Sequence, residues 1–509
     1  MPARILSAAL VGLESKIVEV EADISSGLPN FMIVGLPDIA VQEAKVRVRS
    51  AIKNSGLSFP YTRVAVNLAP CDLKKEGPSY DLPIALGIHL AYEGVIPEIS
   101  LDSSIFIGEL SLDGHLRKIN GVLSIAMMAQ RNGIKNIFLP EENAQEASII
   151  SGLNIFPLKT FSQLIKILNK EESITPFKSN PAYFEREDDL DETFSLVKGQ
   201  EYAKRALEIV AAGGHNLFMV GPPGTGKTFL ARSIISILPS LETSEMLEVT
   251  RIYSVAGMVA AHKPLIQNRP FRNPHHSSSA AALIGGGRFP KPGEISLSHR
   301  GVLFLDELPE FPRAVLESLR QPLEDGVVTV SRVAGSIQFP ARFILIAAAN
   351  PCPCGFLSDP KQVCRCTPHQ VLRYQKRISG PLLDRMDLQV EVPRLDFAKL
   401  TQENVSREEI ARIKDKIKRA RQIQTARLLG KGMLENSEMN HKEISQFCAV
   451  DSEGKAILKK AVEQIPLSAR AYYRVLKVAR TIADLDQEEK LKTNHLAEAI
   501  QYRIKQMGD

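Results

Sequence analysis

An apolar run, Leu217–Val220, leads straight into Gly221-Pro222-Pro223-Gly224-Thr225-Gly226-Lys227-Thr228 and then into a helical run over residues 229–238. Strand, glycine-rich loop and helix in that order are the setting a phosphate-binding P-loop requires. Glycines let successive backbone N–H groups curl around phosphate oxygens, and the helix N-terminus adds partial positive charge. In such a loop Lys227 reaches the β- and γ-phosphates and Thr228 ligates Mg²⁺. A mere glycine-rich turn would not need the glycines, the Lys-Thr pair and both flanks together. The middle of the chain is therefore expected to be an α/β domain with a parallel sheet that binds ATP or GTP and hydrolyses it.

At 509 residues the chain has room for about three or four domains. An apolar fraction of 44% supports ordinary cores, and no apolar run approaches the length of a membrane span. Met1-Pro-Ala-Arg-Ile lacks the charged-then-apolar pattern of a secretory signal, so a cytoplasmic protein is expected. A net charge of +5 permits a polyanionic partner without demanding one.

Residues 1–170 mix short strands (17–24, 64–68, 104–108, 136–140) with helices (42–55, 82–91, 119–132), the pattern of an α/β domain. Residues 171–192 hold two prolines and the acidic cluster of 185–192, and read as a solvated linker. The nucleotide domain is expected over 193–395, with further parallel strands at 302–305 and 343–347. Residues 396–509 read as almost wholly helical.

Several polar residues fit around the P-loop. Gly301-Val-Leu-Phe-Leu-Asp306-Glu307 is an apolar strand ending in two carboxylates. Asp306 can hold Mg²⁺ through water, and Glu307 can polarise the attacking water. The strand over 343–349 ends at Asn350, an amide that can position water and sense the γ-phosphate. Arg385, within Leu382-Leu-Asp384-Arg385-Met-Asp387, suits an arginine finger acting on a neighbouring subunit's ATP. Ser468-Ala-Arg470 opens a helix in the last domain and brings another cation toward the nucleotide. For both arginines a surface ion pair is the plain alternative.

Four of the six cysteines form two C-x-C pairs after Asn350: Cys352, Cys354, Cys364 and Cys366. Disulfides are disfavoured in the cytosol, and four thiolates can close a tetrahedral structural Zn²⁺ site. His369 is a weaker alternative ligand. Cys71 and Cys448 stand alone and read as small core residues.

The order of P-loop, Asp306-Glu307, Asn350, Arg385 and Arg470 resembles AAA+ ATPases, in the branch holding magnesium chelatase motor subunits and MCM helicases. Arg269-Pro-Phe-Arg-Asn-Pro-His275-His276 and Pro292-Gly-Glu-Ile-Ser-Leu-Ser-His299 resemble the signature of the ComM/YifB group of magnesium-chelatase-like proteins. The likeness runs through essentially the whole chain. It implies a hexameric motor using ATP and Mg²⁺ that migrates branched DNA during natural transformation. Lys227, Thr228, Asp306, Glu307, Asn350, Arg385 and Arg470 then take the standard AAA+ roles.

By the same analogy two segments touch DNA, branched, single- or double-stranded. One is the insert containing Leu283-Ile-Gly285-Gly-Gly-Arg288-Phe-Pro-Lys291; the other is a hairpin over 327–339, with Arg332 near its Ala334-Gly335 turn. Glycines with isolated cations suit a loop that grips phosphates and moves. Ordinary surface loops remain the alternative, and neither segment carries an aromatic platform for bases.

Lys74-Lys-Glu-Gly77-Pro-Ser79 and the stretch from Glu109 resemble the active-site strip of Lon-type proteases, which implies a ribosomal-S5-domain-2-like fold for residues 1–170. Ser79 matches the serine, but Leu123 stands where the lysine base belongs. A serine without a base is a poor nucleophile. The domain is expected to bind or assemble rather than cleave, with Ser79 as a helix N-cap. A chelatase-type motor inserting Mg²⁺ into a porphyrin and an ATP-dependent protease remain the competing readings. The cations around Ile410, Ile413, Ile417 and Ala420, and likewise Arg474, Lys477 and Arg480, read as solvated helix faces.

Overall fold

The computed structural model describes residues 2–94, 97, 99–178, 193–287, 290–332, 335–357, 359–396, 405–464 and 468–503. The acidic cluster expected as a linker, Arg288 and Ala334 lie outside them, as do the side chains of Arg332 and Gly335's neighbours in that turn.

The N-terminal region is built on a seven-stranded mixed sheet in the order Asn30–Val34, Arg63–Ala69, Glu14–Ser25, Ala3–Val11, Ser104–Phe106, Asn136–Pro140, Asn154–Leu158. Along Glu14–Ser25 the residues Val18, Val20 and Ala22 are buried while their neighbours are not, the period-two pattern of a strand with one covered face. The helix Asp81–Glu93 is the cover. It is buried on nearly every side from Leu82 to Leu90. Gly87 lets it approach so closely that a Cβ there would lie 3.2 Å from the Ala22 methyl.

The nucleotide region holds a second sheet, five strands and all parallel: Phe271–Arg272, Val302–Leu305, Ile344–Ala349, Leu217–Val220, Leu388–Glu391. In chain order that is 2-3-4-1-5, so the P-loop strand lies inside the sheet. Its three inner strands are apolar throughout because both faces are covered. The C-terminal region is helical, from Arg407–Leu428 through Ala469–Leu485 to Thr493–Gln501. It is not a separate core: Leu217, Val302, Ile417, Val475 and Ile482 belong to one apolar cluster. A further cluster joins Leu6, Ile105 and Leu123 to Leu241, Met246, Val249 and Leu265, so the N-terminal region is packed onto the helix Thr243–Ala256. Among the described residues no helix is long and apolar enough to cross a membrane.

Three expectations are corrected. Ser79 caps no helix: the helix begins at Asp81 with no side-chain cap, and the Ser79 carbonyl accepts from the Gly108 N–H at 2.9 Å. Arg474, Lys477 and Arg480 do not form a solvated face. Arg474 pairs with Asp387 at 2.5 Å, Lys477 donates to the Ser437 carbonyl at 2.7 Å, and Arg480 donates to Asp484 at 3.1 Å. Cys71 is exposed, whereas Cys448 is buried as expected.

Leu123 is fully buried, and its N–H donates to the Glu146 carboxylate at 3.1 Å. Leu123→Lys would therefore bury an unpaired ammonium. It should cost about 3 kcal/mol or more and lower the melting temperature, without creating peptidase activity. A variant that melts with the wild type would contradict this packing.

Candidate functional site

Parallel strands deliver their following loops to one edge, and that edge holds the site. Gly221 is pressed against the next strand's exit: a Cβ there would sit 2.2 Å from the Val392 carbonyl oxygen. Gly224 and Gly226 have φ of +77° and +83°, the left-handed region that favours glycine. The helix Lys227–Ser233 follows at once.

Lys227 is buried, and its Nζ donates to the carbonyls of Gly221 (2.7 Å) and Pro222 (2.9 Å) and to Asn350 Oδ1 (3.2 Å). Burial pulls this ammonium below the usual lysine range, against the opposing pull of Asp306 and Glu307. Thr228 Oγ1 donates to Asp306 Oδ2 at 2.6 Å, and Asp306 Oδ1 accepts from the Glu307 N–H at 2.9 Å. A hydroxyl and a carboxylate, both hard oxygen donors, fit Mg²⁺. The P-loop, both carboxylates and Asn350 are thus brought together at one edge.

Two features here were not anticipated. Glu307 has φ of +50°, which turns its carboxylate out of the strand line, and His276 Nδ1 lies 3.4 Å from it. In the sequence His276 stands only as the end of the motif over 269–276, and the fold alone brings it to Glu307. Beside the loop opens a cavity of about 560 Å³ lined by Leu196, Val197, Gln200, Phe229, Lys361 and Arg394, among others. Its apolar and cationic walls suit a base with its phosphates.

Arg385 and Arg470 lie elsewhere. Arg385 precedes the strand Leu388–Glu391, and its carbonyl accepts from Asn216 Nδ2, just before the P-loop strand begins. They therefore sit at the amino edge, a strand's length of roughly 13 Å from the P-loop edge. The Arg385 guanidinium pairs with Glu324, and Arg470 reaches the same carboxylate at 3.6 Å. The helical region does not carry Arg470 to this chain's own P-loop, because the helix Ala469–Leu485 is tied to the amino edge through Arg474 and Asp387. Buried Asp387 is held well below the usual carboxylate range: burial opposes that, and Arg474 and His215 outweigh it.

The four cysteines converge. Cys352 Sγ lies 3.4 Å from Cys354 and 3.7 Å from Cys364, Cys354 lies 3.6 Å from Cys364, and all four sulfurs fall within 4.8 Å of one another. Tetrahedral zinc with bonds of about 2.3 Å needs sulfurs about 3.8 Å apart. Backbone N–H groups of Phe356 and Arg365 bring the Cys354 thiol down to about 6, whereas burial pushes the Cys352 thiol up to about 12, so Cys354 is the first of the two to become the thiolate that binds metal. His369 is not in the cluster.

Of the expected DNA-contact segments, the insert forms a hairpin in which Gly285–Gly286 pairs with Lys291–Pro292, with Lys291 exposed. The second is a hairpin of Val327–Arg332 with Gly335–Pro340, Arg332 opposite Gly335. Arg288 falls outside the described residues.

Known families match along the chain. The family described as magnesium chelatase, subunit ChlI matches residues 193–400, its C-terminal counterpart 407–503, and subunit ChlI of Mg-chelatase 20–143. The competence protein ComM of Haemophilus influenzae is 44% identical over 98% of this chain and 97% of its own length. The protein YifB of Escherichia coli is 44% identical over 97% and 96%. The magnesium-chelatase 67 kDa subunit of Heliobacterium mobile is 24% identical over 58% of this chain and 49% of its own length.

Purified protein should carry about one zinc per chain, and Cys364→Ser/Cys366→Ser should carry almost none. Equal, near-zero metal in both would dismiss the centre.

Proposed function

The chain belongs to the ComM/YifB family of magnesium-chelatase-like AAA+ proteins, and on that premise we propose that it is an ATP-driven DNA motor. It hydrolyses ATP to migrate branched recombination intermediates, acting as a helicase. It works in the cytoplasm and promotes the integration of incoming DNA in natural transformation.

One observation carries the mechanism: Lys227 and Arg385 stand at opposite edges of the same sheet. A subunit cannot lay Arg385 on its own nucleotide, so each site is completed by a neighbour, and a closed ring of subunits, a homohexamer, satisfies that need. Lys227 and the P-loop N–H groups hold the phosphates. Thr228 and Asp306 would hold Mg²⁺, which neutralises phosphate charge. Glu307 takes the proton of the attacking water, and Asn350 orients that water. Arg385 and Arg470 leave Glu324 to stabilise the charge developing on the neighbour's γ-phosphate.

His276 joins this chemistry to DNA, because the insert that follows it carries the Gly285–Gly286/Lys291–Pro292 hairpin. That hairpin, with Arg288 and Lys291, and the second one, with Arg332, grip phosphates in the ring's pore. Similarity to the chelatase subunit is partial and weaker, which favours DNA over porphyrin as the target. The four cysteines hold a structural zinc.

Lys227→Ala should weaken ATP binding about a hundredfold or more, whereas Glu307→Gln should bind ATP and lose about 10²- to 10⁴-fold in turnover. Arg385→Ala should bind ATP normally and lose about 10³-fold in turnover. Turnover by Glu307→Gln at the wild-type rate would remove that residue's role. Wild-type protein should show DNA-stimulated ATPase activity and move a synthetic Holliday junction, with Lys227→Ala inert. Protein that binds ATP but does neither is not a DNA motor.

A further inference from the structure

The cysteine loop reaches the nucleotide pocket. Gly355 follows Cys354 and lies against the P-loop: a Cβ there would sit 2.6 Å from the Pro223 ring. Farther along, the Asp359 side chain is wholly buried. Its Oδ1 accepts from the N–H groups of Lys361 (2.8 Å) and Gln362 (3.3 Å), and its Oδ2 lies 3.5 Å from Arg394. This turn places Lys361 and Arg394 together in the wall of the cavity that opens on Gly224, Thr225 and Gly226. Lys361 Nζ lies 3.8 Å from Asp396 Oδ1 in a solvent-exposed pair, weak enough for the more highly charged nucleoside triphosphate to displace.

We propose that the cysteine centre is the clasp of the nucleotide pocket: zinc on Cys352, Cys354, Cys364 and Cys366 holds Lys361 against the bound nucleoside triphosphate, so metal occupancy sets nucleotide affinity. The proposal rests on the ATP site described above. The physical reason is the cost of ordering. Lys361 lies between the two cysteine pairs in a polar surface loop with little apolar burial of its own. Tying both ends to one ion orders the loop before the nucleotide arrives, so binding does not have to supply that entropy. The other pins described are Gly355 on Pro223, Asp359 on Arg394 and the exposed Lys361–Asp396 pair at 3.8 Å.

The test is a titration of the full chain with a fluorescent ATP analogue in Mg²⁺, alongside zinc content. Lys361→Ala should keep its zinc and bind the analogue about tenfold more weakly. Cys364→Ser/Cys366→Ser should lose zinc and weaken binding by a similar factor. The combined variant should be little weaker than either, because both changes remove the same contact. Lys361→Ala leaves all four thiols in place and keeps the test decisive if the cysteine variant does not fold. Wild-type affinity in Lys361→Ala, or in a folded, zinc-free cysteine variant, overturns the proposal. If the wild type itself does not bind the analogue, or Lys227→Ala binds it equally well, the ATP-site reading fails instead.

Discussion

The ladder around Leu217–Val220, bonded to Ile344–Ala349 on one side and Leu388–Glu391 on the other, is what every other feature depends on. Because the strands are parallel, everything that follows them meets at one edge and everything that precedes them at the other. Lys227, Thr228, Asp306, Glu307 and Asn350 follow strands; Arg385 and Asp387 precede one. The register that assembles the phosphate site therefore also excludes the arginines from it. Glu324 occupies both Arg385 and Arg470 at the far edge, which keeps the buried Arg385 guanidinium paired in the single chain, while Arg470 stays largely exposed.

The N-terminal region is fastened to the parts of the ATPase that the proposed cycle moves. Arg251, on Thr243–Ala256, donates to the Leu13 carbonyl at 2.9 Å and to Glu14 at 2.6 Å. Lys118 reaches back to the Val259 carbonyl at 2.7 Å. Ile337 of the second hairpin packs so tightly on the Gly12 turn that a Cβ there would lie 2.5 Å from its methyl. These contacts and the shared apolar cluster join the region to that side of the nucleotide region. Leu123, at the position where the likeness to Lon-type proteases would place a base, is buried.

Much of the site was legible because phosphate chemistry allows few alternatives: a P-loop needs its glycines and lysine in order, and the carboxylates and Asn350 follow apolar runs. The cysteine cluster was legible from spacing alone. What sequence could not carry was which side of a helix faces inward. Arg480 looked solvated because its cations recur at helical spacing, yet Asp484 one turn on neutralises it inside the core. Ala3–Val11, buried at five successive positions, has no alternation to announce a strand. Glu324 and His276 matter only through partners 61 and 31 positions away, distances at which no local pattern speaks.

The central claim, that each ATP site is shared between subunits, is tested most directly by mixing two inactive proteins, Lys227→Ala and Arg385→Ala. A shared site predicts that the mixture recovers ATPase activity, because some interfaces then join an intact P-loop to an intact arginine. Mixtures that stay inactive at every ratio, although native mass spectrometry shows both variants in one ring, would contradict it.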